Sequence, residues 1–416
     1  MLAMAVRVAP ARADEAAVAP TPPQKEAPSL GEAALLRRWL DKSPEVAAWR
    51  SRIGAARFDA TQARLWPNPE AAFSTNVLAD GAAPDSQWGF QLQLGAPLPI
   101  FGQIAGRGAA ADAQIGVAEA AVLEQLWERA AELRTAMIER AFADARAEML
   151  ERNLAELDRL RRVVVLRTGA GAGSQYDVLR VDMAAGTLRA ALNEATVERA
   201  RAETALLALI ADPSLASAPA TRAGLAPLRA SEDEAALVKL ALERRPDLLL
   251  ARRGVAASQA QAARYRRDAI PTPSVFAAGY LCQQPYGLQL TAGLSVPLPI
   301  FDRNQGAIGR SLAEAQGAEQ QARALEARTR VEVGGAWRAR QHARAALDDF
   351  RTSTLATAAE LLRRAEVTYQ AGAFSIAELF DAYQTMWAAR LQELDLERQV
   401  AAAEAELKRA AALGLP

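Results

Sequence analysis

Trp88-Gly89-Phe90-Gln91-Leu92-Gln93-Leu94-Gly95-Ala96-Pro97-Leu98-Pro99-Ile100-Phe101 decides the fold, because its close returns two hundred residues later as Pro297-Leu298-Pro299-Ile300-Phe301. Before the first proline, Trp88, Phe90, Leu92 and Leu94 alternate with Gly89, Gln91 and Gln93. In the second copy Leu288, Leu290, Ala292 and Leu294 alternate with Gln289, Thr291 and Gly293. A period of two puts one apolar and one polar face on a strand. The segments at about 72–79 and 275–283 also suit strands, with turn-rich Asp80-Gly81 and Gln284-Pro285-Tyr286-Gly287 before the partner strands at about 88–95 and 287–296. Each copy therefore contributes one hairpin whose strands are long enough to cross a bilayer when tilted.

Outward from these hairpins the order of features also repeats. Pro44 opens a helical pattern that runs to Trp66-Pro67-Asn68-Pro69, and Pro246 opens one that runs to Ile270-Pro271-Thr272-Pro273. Downstream, Gly171-Ala-Gly-Ser174-Gln-Tyr-Asp177 matches Gly372-Ala-Phe-Ser375-Ile-Ala-Glu378 at an offset of 201. Three markers in one order at one spacing make the chain two copies of one unit. No proline interrupts 103–167 or 303–370, and Leu123, Leu126, Ala130, Leu133 and Met137 step by threes and fours. Sixty-five residues of helix would reach roughly 100 Å. A glycine-bearing turn leads into a second helix at about 175–211 or 375–412, so each unit is a strand hairpin plus an antiparallel coiled-coil pair. The expected organisation is a mostly α chain with a small β part: a first repeat over 44–211, a Pro-containing linker over 212–245, and a second repeat over 246–413.

Composition removes many functions. Over 416 residues, 49 Lys and Arg balance 49 Asp and Glu, so no global basic field exists to hold nucleic acid. One histidine, His342, and one cysteine, Cys282, cannot assemble a Cys/His zinc site or an internal disulfide. Residues 1–13 read as a signal-peptide remnant with cleavage after Ala13, and 14–43 as a Pro-rich linker carrying Pro20, Pro22, Pro23 and Pro28 with the start of the first helix. No apolar run reaches the roughly 18 residues of a membrane-spanning helix, but alternating strands would not show one.

Four strands cannot close a membrane barrel, and an open edge in lipid leaves backbone groups unsatisfied. Oligomerisation is therefore forced. Three chains would supply a twelve-stranded barrel, and the same symmetry would roll the long helices into a hollow cylinder.

The duplicated hairpins, the paired Pro-Leu-Pro-Ile-Phe boundaries and the two Gly-x-x-Ser-x-x-(Asp/Glu) turns resemble the TolC-type outer membrane factors, exit ducts of tripartite efflux and type I secretion systems. Pro299-Ile300-Phe301-Asp302-Arg303-Asn304-Gln305-Gly306 is most similar to the branch that serves heavy-metal cation efflux by resistance-nodulation-division (RND) pumps. The resemblance implies a homotrimer in the outer membrane, a periplasmic α-barrel, and partnership with a periplasmic adaptor and an inner-membrane RND pump. It also places Glu378 and Asp381 at the acidic periplasmic constriction; three apart on a helix, they share a face, and in a trimer they would form two stacked rings, six carboxylates in all, whose mutual repulsion would attract cations and favour partial protonation. Tyr369 and Asp177 match positions that link inner and outer helix pairs, and a Tyr369 hydroxyl to Asp177 contact is expected in the gate. Phe374 stands where the family carries arginine, so an apolar ring there would replace a polar lock. The turns Gly171 to Ser174 and Gly372 to Ser375 correspond to adaptor-docking tips, although helix capping alone explains both serines.

Other readings carry less. Gly169-Ala-Gly171-Ala-Gly173-Ser174 follows a helix, not a strand, and lacks the lysine of a phosphate loop. No motif positions a nucleophile, base or cofactor, so neither an enzyme nor a cofactor is expected. A periplasmic coiled-coil scaffold would explain the helices but not the amphipathic hairpins. Multidrug efflux or type I secretion would use the same duct as metal export.

Overall fold

The computed structural model describes residues 31–77, 88–171, 173–211, 233–282 and 287–414. The signal-peptide and spacer readings over 1–30 lie outside these residues, as does 212–232 of the inter-repeat linker.

Each repeat begins with a short helix and a proline-initiated one. Helix α1 (Glu32–Lys42) stops at Ser43 and α2 (Pro44–Ala63) follows; in the second repeat α5 (Glu234–Arg244) stops at Arg245 and α6 (Pro246–Asp268) follows. Ser43 and Arg245 are both extended, with ψ of 124° and 125°, because a residue before proline is driven out of the helical region. Helix α5 corrects the expected linker: the part of 212–245 beyond Asp233 is helical, at the place α1 occupies in the first repeat.

Strands β1 (Glu70–Val77), β2 (Trp88–Pro97), β3 (Ser274–Cys282) and β4 (Gly287–Ser295) form one antiparallel sheet in chain order. Register puts Phe73 opposite Leu92, Leu92 opposite Gly279, and Gly279 opposite Leu290. That face also carries Trp88, Phe90, Leu94, Leu281, Leu288 and Leu294, all exposed. The opposite face carries Ser74, Asn76, Gln91, Gln93, Gln289 and Thr291. Two aromatics cover its glycines: a Cβ on Gly89 would strike the Tyr280 ring, and one on Gly293 the Phe276 ring. Aromatic cover offsets the packing a glycine strand position lacks.

Behind each hairpin the chain turns sharply into a long helix. Gly102 (φ +82°) precedes α3 (Gln103–Gly169), and Asn304 (φ +59°) precedes α7 (Gln305–Phe350). After their turns come α4 (Gln175–Ile210) and α9 (Ile376–Ala410). The helix expected to run unbroken over 303–370 contains a π-helical turn at Arg351–Leu355 before α8 (Ala356–Gln370). There the hydroxyls of Thr352 and Ser353 bond back to the carbonyls of Asp348 and Asp349 at 2.9 and 2.7 Å, competing with the α ladder.

The long helices form a single layer whose core is a series of clusters along its length. Near its middle, Trp39 from α1 and Trp49 from α2 meet edge to face, centroids 6.3 Å apart, against Leu133 and Met137 of α3 and Ile210 of α4. Leu123, which the periodicity placed in the stripe, is exposed. Buried charges tie the repeats together. Arg134 Nε donates to Glu32 at 2.6 Å, and Lys408 of α9 reaches the other oxygen of Glu32 at 3.1 Å. Arg245 grips Asp247 and Glu332 while its guanidinium lies 5.2 Å from the Trp127 ring centre. No described helix is long and apolar enough to cross a membrane.

Candidate functional site: the helical tips and the apolar sheet

At the end remote from the sheet, α3 turns into α4 and α8 into α9. Gly171 and Gly372 stand at φ +79° and +76°, with open space where a Cβ would point, so glycine answers a backbone demand there. Each serine then caps the next helix in a reciprocal box. Ser174 Oγ accepts from the Tyr176 N–H at 3.1 Å, and Asp177 Oδ2 accepts from the Ser174 N–H at 3.1 Å. In the second turn Glu378 Oε2 accepts from the Ser375 N–H at 2.7 Å and from its hydroxyl at 2.8 Å.

These caps engage two of the expected site residues. The Ser375 backbone N–H, then its hydroxyl, hold the Glu378 carboxyl of the single chain below its ordinary value. Glu378 and Asp381 are both exposed on α9. Asp177 is engaged by the cap, and among the described residues no hydrogen bond joins it to Tyr369. Tyr369 is buried in the tip cluster with Leu160, Val164, Leu379 and Phe380, and the Arg167 guanidinium sits 4.6 Å from its ring centre. Tyr369 thus bridges the two hairpins through its ring, not its hydroxyl. Phe374 occupies the turn between Gly372 and Ser375, 36% exposed.

The sequence did not signal the contacts that join the hairpins most directly. Glu156 of α3 accepts from Trp387 Nε1 at 2.8 Å and from Arg390 at 3.3 Å, both on α9. Arg180 of α4 lies 5.6 Å from the Phe380 ring centre. Tyr383 donates to Glu366 at 2.6 Å, tying α9 to α8; burial, then that carboxylate, push its hydroxyl pKa upward. Partners so far apart in sequence carry no local motif. Beside the first turn, Leu166, Tyr176, Leu179 and Met183 leave an apolar surface exposed.

Among the described residues no cluster of His, Cys, Asp and Glu is arranged to hold a metal ion. The chemistry on display is instead a sheet that offers one apolar face outward, joined to a long helical layer with charged, capped tips.

The outer membrane efflux protein family model matches residues 35–212 and 237–413, one stretch per repeat. The chain is 24% identical over 335 residues to the cobalt-zinc-cadmium resistance protein CzcC of Cupriavidus metallidurans, covering 80% of this chain and 78% of that one. Its fold is shared with a membrane protein from Pseudomonas aeruginosa (TM-score 0.76, 22% identity, 91% of this chain and 90% of the other). It is shared equally with CusC, whose structures concern transmembrane channel formation (TM-score 0.75, 19% identity, 92% of each chain). With both repeats matched and the strand-and-helix plan common to these channels, the chain belongs to the outer membrane efflux protein family, a sheet in the outer membrane continued by a periplasmic helical extension.

Proposed function

We propose that three copies close edge to edge into a twelve-stranded barrel and a periplasmic α-barrel, forming the passive exit duct of a tripartite RND efflux system for heavy-metal cations. The observation that carries this reading is the asymmetry between equivalent positions in the two repeats. Gln103 is buried: its side chain accepts from the Phe101 N–H at 3.0 Å and donates to the Ile270 carbonyl of the other repeat at 3.2 Å. Gln305, its counterpart, makes only local bonds to Arg303 and Phe301 and is exposed. The position equivalent to Ile270 in the first repeat is Trp66, beyond the free edge of β1. A neighbouring copy would bring its Trp66 carbonyl to Gln305 and its β1 to β4, repeating between chains what β2 and β3 do within one. Edge strands exposing apolar faces in lipid have no other way to satisfy their backbone.

The same pairing predicts the inter-subunit register. Gly95 faces Phe276, so Ser295 should face Ala72 of the neighbour. In a Cys282→Ala background, the Ser295→Cys, Ala72→Cys double variant should cross-link on oxidation into a covalent trimer in outer membranes. Recovery as a water-soluble, uncross-linked monomer would sink the barrel reading.

Heavy-metal cargo is supported by the similarity to CzcC and by the exposed carboxylates Glu378 and Asp381 on one face of α9. Cargo choice is assigned to the pump, and the tips to the adaptor: the turns carrying Gly171 and Ser174 and Gly372 and Ser375 would receive its helical hairpins beside the exposed Tyr176 and Leu179. The gate would comprise Arg167 with Tyr369, Glu156 with Trp387 and Arg390, and Phe374, while Asp177 serves its helix cap. Deleting the gene should sensitise cells to cobalt, zinc or cadmium; sensitivity to antibiotics alone would assign the duct to drug efflux instead.

A further inference from the structure

Where the sheet meets the helices, the apolar face does not end with the strands. In the single chain Trp66 before β1, Phe101 after β2 and Phe301 after β4 are 57%, 50% and 89% exposed, with Leu65, Ile100 and Ile300 exposed beside them. Trp66 and Phe301 flank the proposed subunit junction, but Ile270 and Phe101 stay 42% and 50% exposed across the equivalent junction already paired within one chain. Directly below lies an excess of arginine. The four boundary segments, 64–70, 97–112, 264–274 and 296–310, hold seven arginines against four carboxylates, in a chain whose total charge is balanced.

Three of these arginines have no carboxylate partner among the described residues. Arg266 is exposed and makes no hydrogen bond there. The Arg267 guanidinium donates only to the Gly102 carbonyl at 3.3 Å, and that of Arg303 only to the Pro299 carbonyl at 3.3 Å, among the described residues. Asn304 Nδ2 donates to the Tyr265 carbonyl at 3.1 Å, so the ends of α6 and of the segment before α7 are held together and these cations share one collar. Beside it, Arg64, Trp66, Ile100 and Ile104 line a cleft of about 670 Å³. A helix C-terminus accounts for a basic residue at its last turn. It does not account for aromatic and aliphatic side chains left in solvent immediately above.

We propose that this collar binds anionic glycerophospholipids of the leaflet facing the periplasm, the phosphate against Arg266, Arg267 and Arg303 and the upper acyl chain against Trp66, Phe101 and Phe301. Charge complementarity identifies the headgroup, and continuity with the lipid-facing side of the sheet identifies a lipid rather than a soluble anion. Aromatic rings with one wet and one dry side belong at that depth. The inference rests on the barrel reading above and is independent of cargo.

The test uses the full chain extracted in mild detergent and reconstituted into nanodiscs of mixed phosphatidylglycerol and phosphatidylcholine, with retained lipid counted by native mass spectrometry. One effective arginine at a membrane surface is worth about 1 kcal/mol, about fivefold. Phosphatidylglycerol should therefore be enriched about fivefold or more over its proportion in the disc. Arg266→Gln, Arg267→Gln, Arg303→Gln should return the ratio to about one, and the matching lysine variant should preserve it. Equal retention of both lipids by the wild type, or enrichment surviving the glutamine variant, overturns the proposal. Displacement by soluble glycerol phosphate also overturns it, by showing a free-phosphate site. Oligomeric mass is read in the same spectra, so lost enrichment in an intact trimer is separated from failure of the barrel. Should the triple variant not assemble, Arg266→Gln alone decides: its guanidinium makes no hydrogen bond or ion pair among the described residues, and unchanged enrichment counts against the collar.

Discussion

At the scale of single residues, the tips show how one side chain can close a helix start while keeping its charge exposed. Glu378 is committed to the Ser375 N–H and hydroxyl, so its charge is fixed near the turn by hydrogen bonds formed with the ionised state. Its depressed pKa sets the sign of the pH effect. The cap is complete above the ordinary carboxyl value of 4.5 and is lost as pH falls through the lowered folded value. Protection factors at residues 376–380, exchange rates corrected for the intrinsic pH dependence of amide exchange, should fall on acidification in the wild type, and Glu378→Gln should flatten that dependence. Ser375→Ala should weaken the first turn of α9 by about 1 kcal/mol, read as faster exchange there with little change in global melting. In planar-bilayer recordings, Glu378→Ala with Asp381→Ala should abolish cation preference; unaltered selectivity would remove both from the constriction. The ring contact of Tyr369 with Arg167 leads to a discriminating pair of variants. Tyr369→Phe keeps the ring and should leave resting conductance near wild type, whereas Arg167→Gln or Glu156→Gln should raise it. A rise with Tyr369→Phe would restore the hydroxyl to the gate.

At the scale of elements, the period of the apolar residues was legible and the interruptions were not. Alternation over Trp88 to Leu94 and Leu288 to Leu294 specifies strands because a two-residue period has one structural meaning. The proline-free stretches similarly specify long helices. The π-helical turn at Arg351–Leu355 left no comparable trace: it depends on Thr352 and Ser353 bonding back to carbonyls and on Arg351 reaching Glu393 and Glu397 of α9, a choice made by the neighbouring helix. Glycines in the sheet divide in the same way. Gly89 looked like a polar-face spacer, but Tyr280 occupies the volume its side chain would fill. Gly89→Val should therefore displace that ring and sharply reduce the fraction of protein that runs as an oligomer on unheated gels. Gly54→Ala, in α2 with nothing near the added carbon, should be neutral or stabilising by up to about 1 kcal/mol. Equal assembly of both variants would deny Tyr280 its role in covering the sheet.

At the scale of the whole molecule, buried ion pairs fasten the chain's beginning to its end. Glu32 is pushed upward by burial, but Arg134 and Lys408 outweigh it and hold the carboxyl below its ordinary value. Its contribution to stability is thus present above about pH 4.5 and lost as pH falls through the folded value. Arg134→Ala would leave Glu32 with Lys408 alone and should cost about 3 kcal/mol, measured by chemical unfolding in detergent. On the proposed trimer, assembly should depend on Gln305: Gln305→Leu would remove one hydrogen bond of about 1 kcal/mol from each subunit junction, lowering the dissociation temperature of the oligomer without changing helix content.

Two kinds of information separate at the end. Residue order alone determined the duplication, the amphipathic hairpins, the long helices and the capped turns, because each depends on neighbours within a few positions or on a repeated pattern. Glu378 and Asp381 enter the proposed constriction through family likeness in the sequence. Tertiary structure decided what those residues touch: Asp177 went to its own helix cap, Tyr369 to Arg167, and Glu156 to Trp387 and Arg390. Contacts between residues more than two hundred positions apart are selected by how two helices meet, and no local pattern encodes that meeting.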